Sequence, residues 1–139
     1  CNCGNKGCLE QYASATAIAN LAKKALEASD EASSLRGIDA VTAKDVFDAY
    51  KEGDALAGKI VEKFAGYLGR ALAVFSCVAD PDVIVLGGGV SKAGQVLIDC
   101  VEKKFKEHAF QGCKETPIKL ATLGNDAGIY GAAKLILSR

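Results

Sequence analysis

The sequence predicts an α/β domain built on parallel strands. Three observations predict it. From Asp54 onward the pattern alternates helix, strand, helix, strand, helix. Val83-Ile84-Val85-Leu86 is a continuous apolar run, as in a central parallel strand covered on both faces. Both strand patterns run into Gly-containing turns and then into helices.

The elements follow in order. Leu9 to Glu27 reads as one helix, with Ile18, Leu21, Ala22 and Ala25 in an apolar stripe. Ser29 to Gly37 is a polar connection. Thr42 and Asp45 form a capping box for a short helix over Ala43–Lys51, and Gly53 ends it. Residues 29–53 thus read as a helical insertion. Asp54 caps a long helix to about Ala79, with Ala57, Ile60, Val61, Phe64, Leu68, Ala71, Leu72 and Phe75 on its buried face. Gly58, Gly66 and Gly69 each weaken that helix by roughly 1 kcal/mol relative to Ala, so they call for a reason such as close helix packing. Asp80-Pro81 stops it. After the strand and Gly87-Gly88-Gly89, a helix runs from about Lys92 to His108, with Val96, Leu97, Cys100, Val101 and Phe105 inward. A second strand covers Ile118 to Leu123. Gly124-Asn125-Asp126 turns the chain, Asp126 caps, and a last helix covers Ala127 to about Leu137 with a small-residue face at Gly128, Gly131, Ala132 and Ala133.

Composition excludes several function classes. The 139 residues suffice for one domain with a real core. Hydrophobic residues make up 50% and charged residues 24%, which argues against disorder. Seventeen basic and seventeen acidic residues cancel, so no global field draws nucleic acid or an anionic membrane. The most apolar stretch, Ala65 to Ala79, contains Arg70 and is too short to span a bilayer. No signal peptide is visible, so a reducing, cytoplasmic setting is expected. The chain has no Met and is expected to be a fragment of a longer protein.

Chemistry concentrates in three stretches. Cys1-Asn2-Cys3-Gly4-Asn5-Lys6-Gly7-Cys8 brings three thiols together, with Gly4 and Gly7 letting the loop curl and Lys6 favouring thiolates. One tetrahedral zinc is the favoured reading, and a Cys3–Cys8 disulfide competes with it. Structural zinc takes four ligands, and only three are visible. His108, at a helix end among Lys and Glu, is a helix-end residue rather than the fourth. Cys77 and Cys100 read as small buried hydrophobes on helix faces and Cys113 as a loop residue, none with assigned chemistry. Glu10 opens a helix, where spacing alone makes it a first-turn carboxylate. Gly87-Gly88-Gly89-Val90-Ser91 follows a strand and precedes a helix, the position of a ligand crevice. It is neither a P-loop nor GxGxxG, since Lys92 stands at the final Gly position. Leu123 to Gly128 repeats the strand–turn–helix pattern.

Together these pieces resemble the ROK family of bacterial repressors and sugar kinases. The resemblance rests on Cys1-x-Cys3-Gly4-x-x-Gly7-Cys8-x-Glu10, on Ala13-Ser14-Ala15-Thr16, on Val83 to Ser91, and on Ala121 to Gly128. Thr42 to Ala49 resembles the glucokinases of low-GC Gram-positive bacteria. The resemblance implies the actin-like, ribonuclease-H-like ATPase fold, with residues 1–139 as the C-terminal lobe and the N-terminal lobe absent. It implies that Cys1, Cys3 and Cys8 are zinc ligands completed by an upstream histidine, and that Glu10 binds sugar hydroxyls. Gly87, Gly88, Gly89 and Ser91 would then belong to the nucleotide-binding segment. The implied activity is ATP- and Mg²⁺-dependent phosphorylation of glucose at O6, with the base Asp in the missing lobe and the fragment inactive alone. A homodimer is the implied assembly. Two alternatives stand beside it: the sugar-sensing lobe of a ROK repressor, and a kinase for fructose, mannose or an N-acetylated sugar.

Overall fold

A 25-residue helix is the spine of the molecule. The computed structural model describes residues 1–138, with the helices α1 (Ala15–Ala28), α2 (Ala43–Lys51), α3 (Ala55–Ala79), α4 (Gln95–His108) and α5 (Ala127–Leu137). Two strands, β1 (Ile84–Leu86) and β2 (Ile118–Leu120), pair in parallel with Ile84 opposite Ile118. The chain between them carries α4 across, as parallel pairing requires. Among the described residues, no helix is long and apolar enough to cross a membrane.

The long helix starts where Asp54 accepts the Ala57 N–H at 2.9 Å. Leu56, Ala57, Ile60, Val61, Phe64, Leu68 and Leu72 recur at helical spacing and are buried. Leu97, Ile98, Val101 and Phe105 of α4 meet them in one core. At Gly69 the two helices touch: a Cβ there would lie 2.7 Å from Lys104 Cβ and from the Phe105 N. Gly69 thus permits backbone contact, whereas Gly58 only abuts the Tyr50 ring and Gly66 meets nothing within 4 Å. The capping box forms as read: Thr42 accepts the Asp45 N–H, and Asp45 accepts the Thr42 N–H at 2.9 Å. Residues 29–53 lie in the same core, contributing Leu35, Val46, Phe47 and Ala49. Phe47 meets Phe64 edge-on at 6.2 Å.

Several expectations change. The first helix does not begin at Leu9. Leu9–Gln11 is a separate 3-10 turn, and α1 starts after Ser14, which accepts the Ala17 N–H at 3.1 Å. Phe75 is 53% exposed and Ser76 takes the inward position, because the last turns of α3 present a rotated face to the core. Val85 is 57% exposed, so β1 is open on one face rather than covered on both. The second strand stops at Leu120. Asp126 makes no side-chain cap, because a 3-10 turn over Gly124–Asp126 feeds α5 directly. No residue of α5 is buried, and a Cβ added at Gly128 or Gly131 would meet nothing within 4 Å, so its small-residue face is open. Two cysteines differ from their reading: Cys77 is exposed and Cys113 is buried in a 3-10 turn, while Cys100 packs half-buried against the core.

Candidate functional site

The cysteine turn brings its thiols to a common point. Gly4 and Gly7 both take positive φ, at 84° and 77°, and the Gly4 N–H closes a turn onto the Cys1 carbonyl at 3.0 Å. The Sγ atoms of Cys1, Cys3 and Cys8 then all lie within 4.8 Å of one another, and Cys3 and Cys8 are 3.5 Å apart. Tetrahedral zinc–sulfur bonds of about 2.3 Å put sulfurs about 3.8 Å apart, so the three thiols fit one face of such a site. The backbone at Asn5, and secondarily the Cys8 thiol, hold the Cys3 thiol below its ordinary range, which favours the ligating thiolate. All three are free thiols, not a disulfide. His108 lies at the C-terminal end of α4 and is not one of the group.

Glu10 sits in the 3-10 turn that follows Cys8. Its Oε2 accepts from the Cys1 thiol at 3.7 Å and from the Gln11 side-chain amide. Both bonds fall on one oxygen. Tyr12 packs at 5.2 Å, tilted by 60°, against Tyr67 of α3, which anchors the turn to the spine. The carboxylate is therefore held by a short, pinned turn and not by the first turn of a helix.

The glycine stretch is built differently from its sequence reading. Gly88 adopts φ 78°, ψ −163°, a region glycine alone occupies readily. The chain then enters a 3-10 turn over Gly89–Ala93, breaks again at Gly94, and only then starts α4. The glycines thus do not open the helix directly. Ser91 donates to the Gly88 carbonyl at 2.7 Å and locks the loop on itself. The chain leaving β2 does come alongside: an added Cβ on Gly87 would lie 3.3 Å from Ala121 Cβ. On its other side, an added Cβ on Gly89 would lie 3.5 Å from Ala15, the first residue of α1. The glycine loop and the segment following Glu10 are thereby neighbours.

A cavity of about 170 Å³ lies between α2 and this loop, lined in part by Lys44, Phe47, Asp48, Gly89, Val90 and Lys92. Lys44 and Asp48 pair at 2.6 Å. Hydrogen bonding and charge at Asp48 raise the Lys44 ammonium above its ordinary range, and the same contact lowers Asp48. Sequence reasoning missed Lys44, Phe47 and Lys92 here. The contact of α2 with the glycine loop joins segments some forty residues apart, and no local pattern encodes it.

The ROK family pattern matches the chain from residue 1 to residue 139. The chain belongs to the ROK family. A glucokinase from Halalkalibacterium halodurans is 41% identical to this ROK chain over 140 residues, covering 98% of it and 42% of the relative. Among solved structures, a ROK family glucokinase from Streptomyces griseus in complex with glucose and AMPPNP superposes with a TM-score of 0.86 at 34% identity, over 97% of this chain and 46% of that one. A ROK family transcriptional regulator, homolog of the E. coli MLC protein, superposes with a TM-score of 0.72 at 29% identity, over 86% and 30% of the two chains. The chain thus spans less than half the length of these relatives.

Proposed function

We propose that this ROK chain is the C-terminal lobe of an actin-like, two-lobed cytoplasmic hexose kinase that transfers phosphate from ATP to glucose O6. The observation that carries the reading is the cysteine turn that runs directly into the 3-10 turn bearing Glu10, set beside a glycine loop and its cavity. Both ligand classes then have residues to meet them. Glu10 accepts hydrogen bonds from sugar hydroxyls, and its rigid turn orients them before the second lobe closes. Gly87, Gly88 and Gly89 leave the backbone open to close approach by the nucleotide, with Ser91 holding the loop's shape. Lys92 adds positive charge to the lining of the adjoining cavity, where Lys44 is paired with Asp48.

Cys1, Cys3 and Cys8 would hold a structural zinc with a fourth ligand from the rest of the protein. The ion would lock the turn that carries Glu10. Mg²⁺ would accompany ATP and offset phosphate charge. The carboxylate that accepts the 6-hydroxyl proton is assigned to the N-terminal lobe, so residues 1–139 alone are inactive. The assembly is proposed to be a homodimer, with neither nucleic acid nor membrane as partner.

The test is a coupled phosphorylation assay of the intact protein against a hexose panel, together with Glu10→Gln. Loss of hydrogen bonds to a charged acceptor predicts a rise in the glucose KM of roughly 10- to 100-fold. A preference for fructose, mannose or an N-acetylated sugar would move the substrate within the kinase reading. Absence of phosphorylation of any hexose, with sugar-dependent DNA binding instead, would move the chain to the repressor branch of the family.

A further inference from the structure

The far end of α3 holds a group of side chains that the proposed phosphoryl transfer does not use. Cys77 lies in the last turn of α3 and is exposed. Cys113 lies 36 positions further on, in the 3-10 turn before β2, and is buried. Their sulfurs are 4.0 Å apart. The Cys113 thiol also donates to the Phe110 carbonyl at 3.4 Å, which holds it in place. A hollow of about 290 Å³ opens onto the pair, lined by Ser76, Cys77, Asp80, Phe110, Gly112 and Cys113. The Ser76 hydroxyl is buried, and it is the one buried side-chain polar atom without a hydrogen-bond partner among the described residues.

We propose that Cys77 and Cys113 form a dithiol–disulfide pair, a redox modification site in which exposed Cys77 is oxidised first and buried Cys113 resolves it. The inference is independent of the kinase reading. The oxidant is a hydroperoxide, small enough for the hollow. The Cys77 thiolate attacks one oxygen of hydrogen peroxide, and the O–O bond breaks. The departing hydroxide combines with the proton lost from Cys77 to give water, leaving Cys77 as the sulfenic acid. Cys113 sulfur then attacks Cys77 sulfur, the S–O bond breaks, and hydroxide leaves with the Cys113 proton as a second water. Two thiols and one peroxide give one disulfide and two waters.

The asymmetry of the pair sets the order. Burial, reinforced by the Cys77 contact, pushes the Cys113 thiol above its ordinary range, so it stays protonated until a sulfenic acid forms beside it. The other thiols have different surroundings. Cys1, Cys3 and Cys8 group as metal ligands, and Cys100 donates to the Tyr50 hydroxyl at 3.6 Å. The cross-link would close a loop containing β1, the glycine stretch and α4.

Tryptic mapping of the intact protein after hydrogen peroxide treatment tests the proposal. Cys77 falls in the peptide Ala71–Lys92 and Cys113 in Glu107–Lys114. The expected product is these two peptides joined, lighter by two hydrogens than their sum and separated again by a thiol reductant. Thermal unfolding should shift upward by about 5–10 °C on oxidation, from loop closure. Cys113→Ala should instead leave Cys77 as a sulfenic acid trapped by dimedone. Cys77→Ala, at an exposed position, should fold normally and lose both the link and the dimedone adduct. A lasting sulfenic acid at Cys77 in the unaltered protein, a link from Cys77 to any other cysteine, or an unmodified Cys77 would each overturn the pairing.

Discussion

Removing the charge of Asp54 should loosen two elements at once. Its Oδ1 accepts the Ala57 N–H at 2.9 Å and so caps α3. Its Oδ2 accepts the Ser33 hydroxyl at 2.8 Å, the Ser34 N–H at 2.7 Å and the Ser34 hydroxyl at 3.0 Å. Burial pushes this carboxyl upward, yet the hydrogen bonds from Ala57, Ser33 and Ser34 outweigh it and hold the group at about 2 against an ordinary 3.8. By linkage that difference corresponds to about 2.4 kcal/mol, reduced by solvent screening to about 1.5 kcal/mol. The folded-state value is depressed, so the stabilisation is complete well above 3.8 and is lost as pH falls through about 2. Asp54→Asn keeps an acceptor for Ala57 but sets an amide NH₂ against the Ser34 N–H. It should cost about 1.5 kcal/mol at pH 7 and about half of that at pH 3. Asp54→Ala also removes the cap and should cost about 2.5 kcal/mol at pH 7. Urea unfolding at pH 7, 5 and 3 measures all of this. A cost for Asp54→Asn below about 0.5 kcal/mol at pH 7, or one that does not shrink at pH 3, would refute the reasoning.

Three further outcomes are expected. Gly69→Ala should destabilise by about 1–3 kcal/mol because its Cβ meets Lys104 and Phe105 backbone atoms, whereas Gly66→Ala, facing open space, should stabilise by up to about 1 kcal/mol; equal shifts in urea midpoint would contradict the α3–α4 contact. Phe64→Ala should cost about 3–5 kcal/mol, since the ring is fully buried against Phe47, and a cost under about 1 kcal/mol would place the core elsewhere. Elemental analysis of the intact protein should find one zinc per chain, Cys8→Ser should lower that content at least tenfold, and a strong chelator should lower the unfolding temperature; full zinc retention in Cys8→Ser would remove the thiols from the metal site.

What could be read from the sequence was local. The Thr42–Asp45 box and the Asp54 cap involve partners three residues apart, and both form as their spacing dictates. The cysteine turn needed only eight residues and two glycines to converge. Misreadings came where a distant element decides. The apolar spacing of α3 runs on to Phe75, but burial there depends on which neighbours reach the end of the helix. Val85 looks central by composition and is open because packing covers one face of β1. Cys77 and Cys113 could not be ranked by exposure, since the 3-10 turn that buries Cys113 has no signature of its own. The cavity beside Gly89 is likewise a product of tertiary contact between α2 and the glycine loop.

The crossover between β1 and β2 also fixes a timetable for folding. The two strands cannot align until the chain between them has been gathered in, and closing that loop is entropically unfavourable before any strand contact offsets it. Helices α3 and α4 share the largest interface between elements and need no strand to form it. They should dock first and deliver Ile84 to Ile118 in register. In pulse-labelled hydrogen exchange, amides inside α3 and α4 should gain protection before the Ala121 N–H, which donates to the Leu86 carbonyl at 2.8 Å. Simultaneous protection would mean that sheet and helices assemble in one step. The glycine loop hangs from the end of β1, so it would be among the last parts of the chain to acquire its shape.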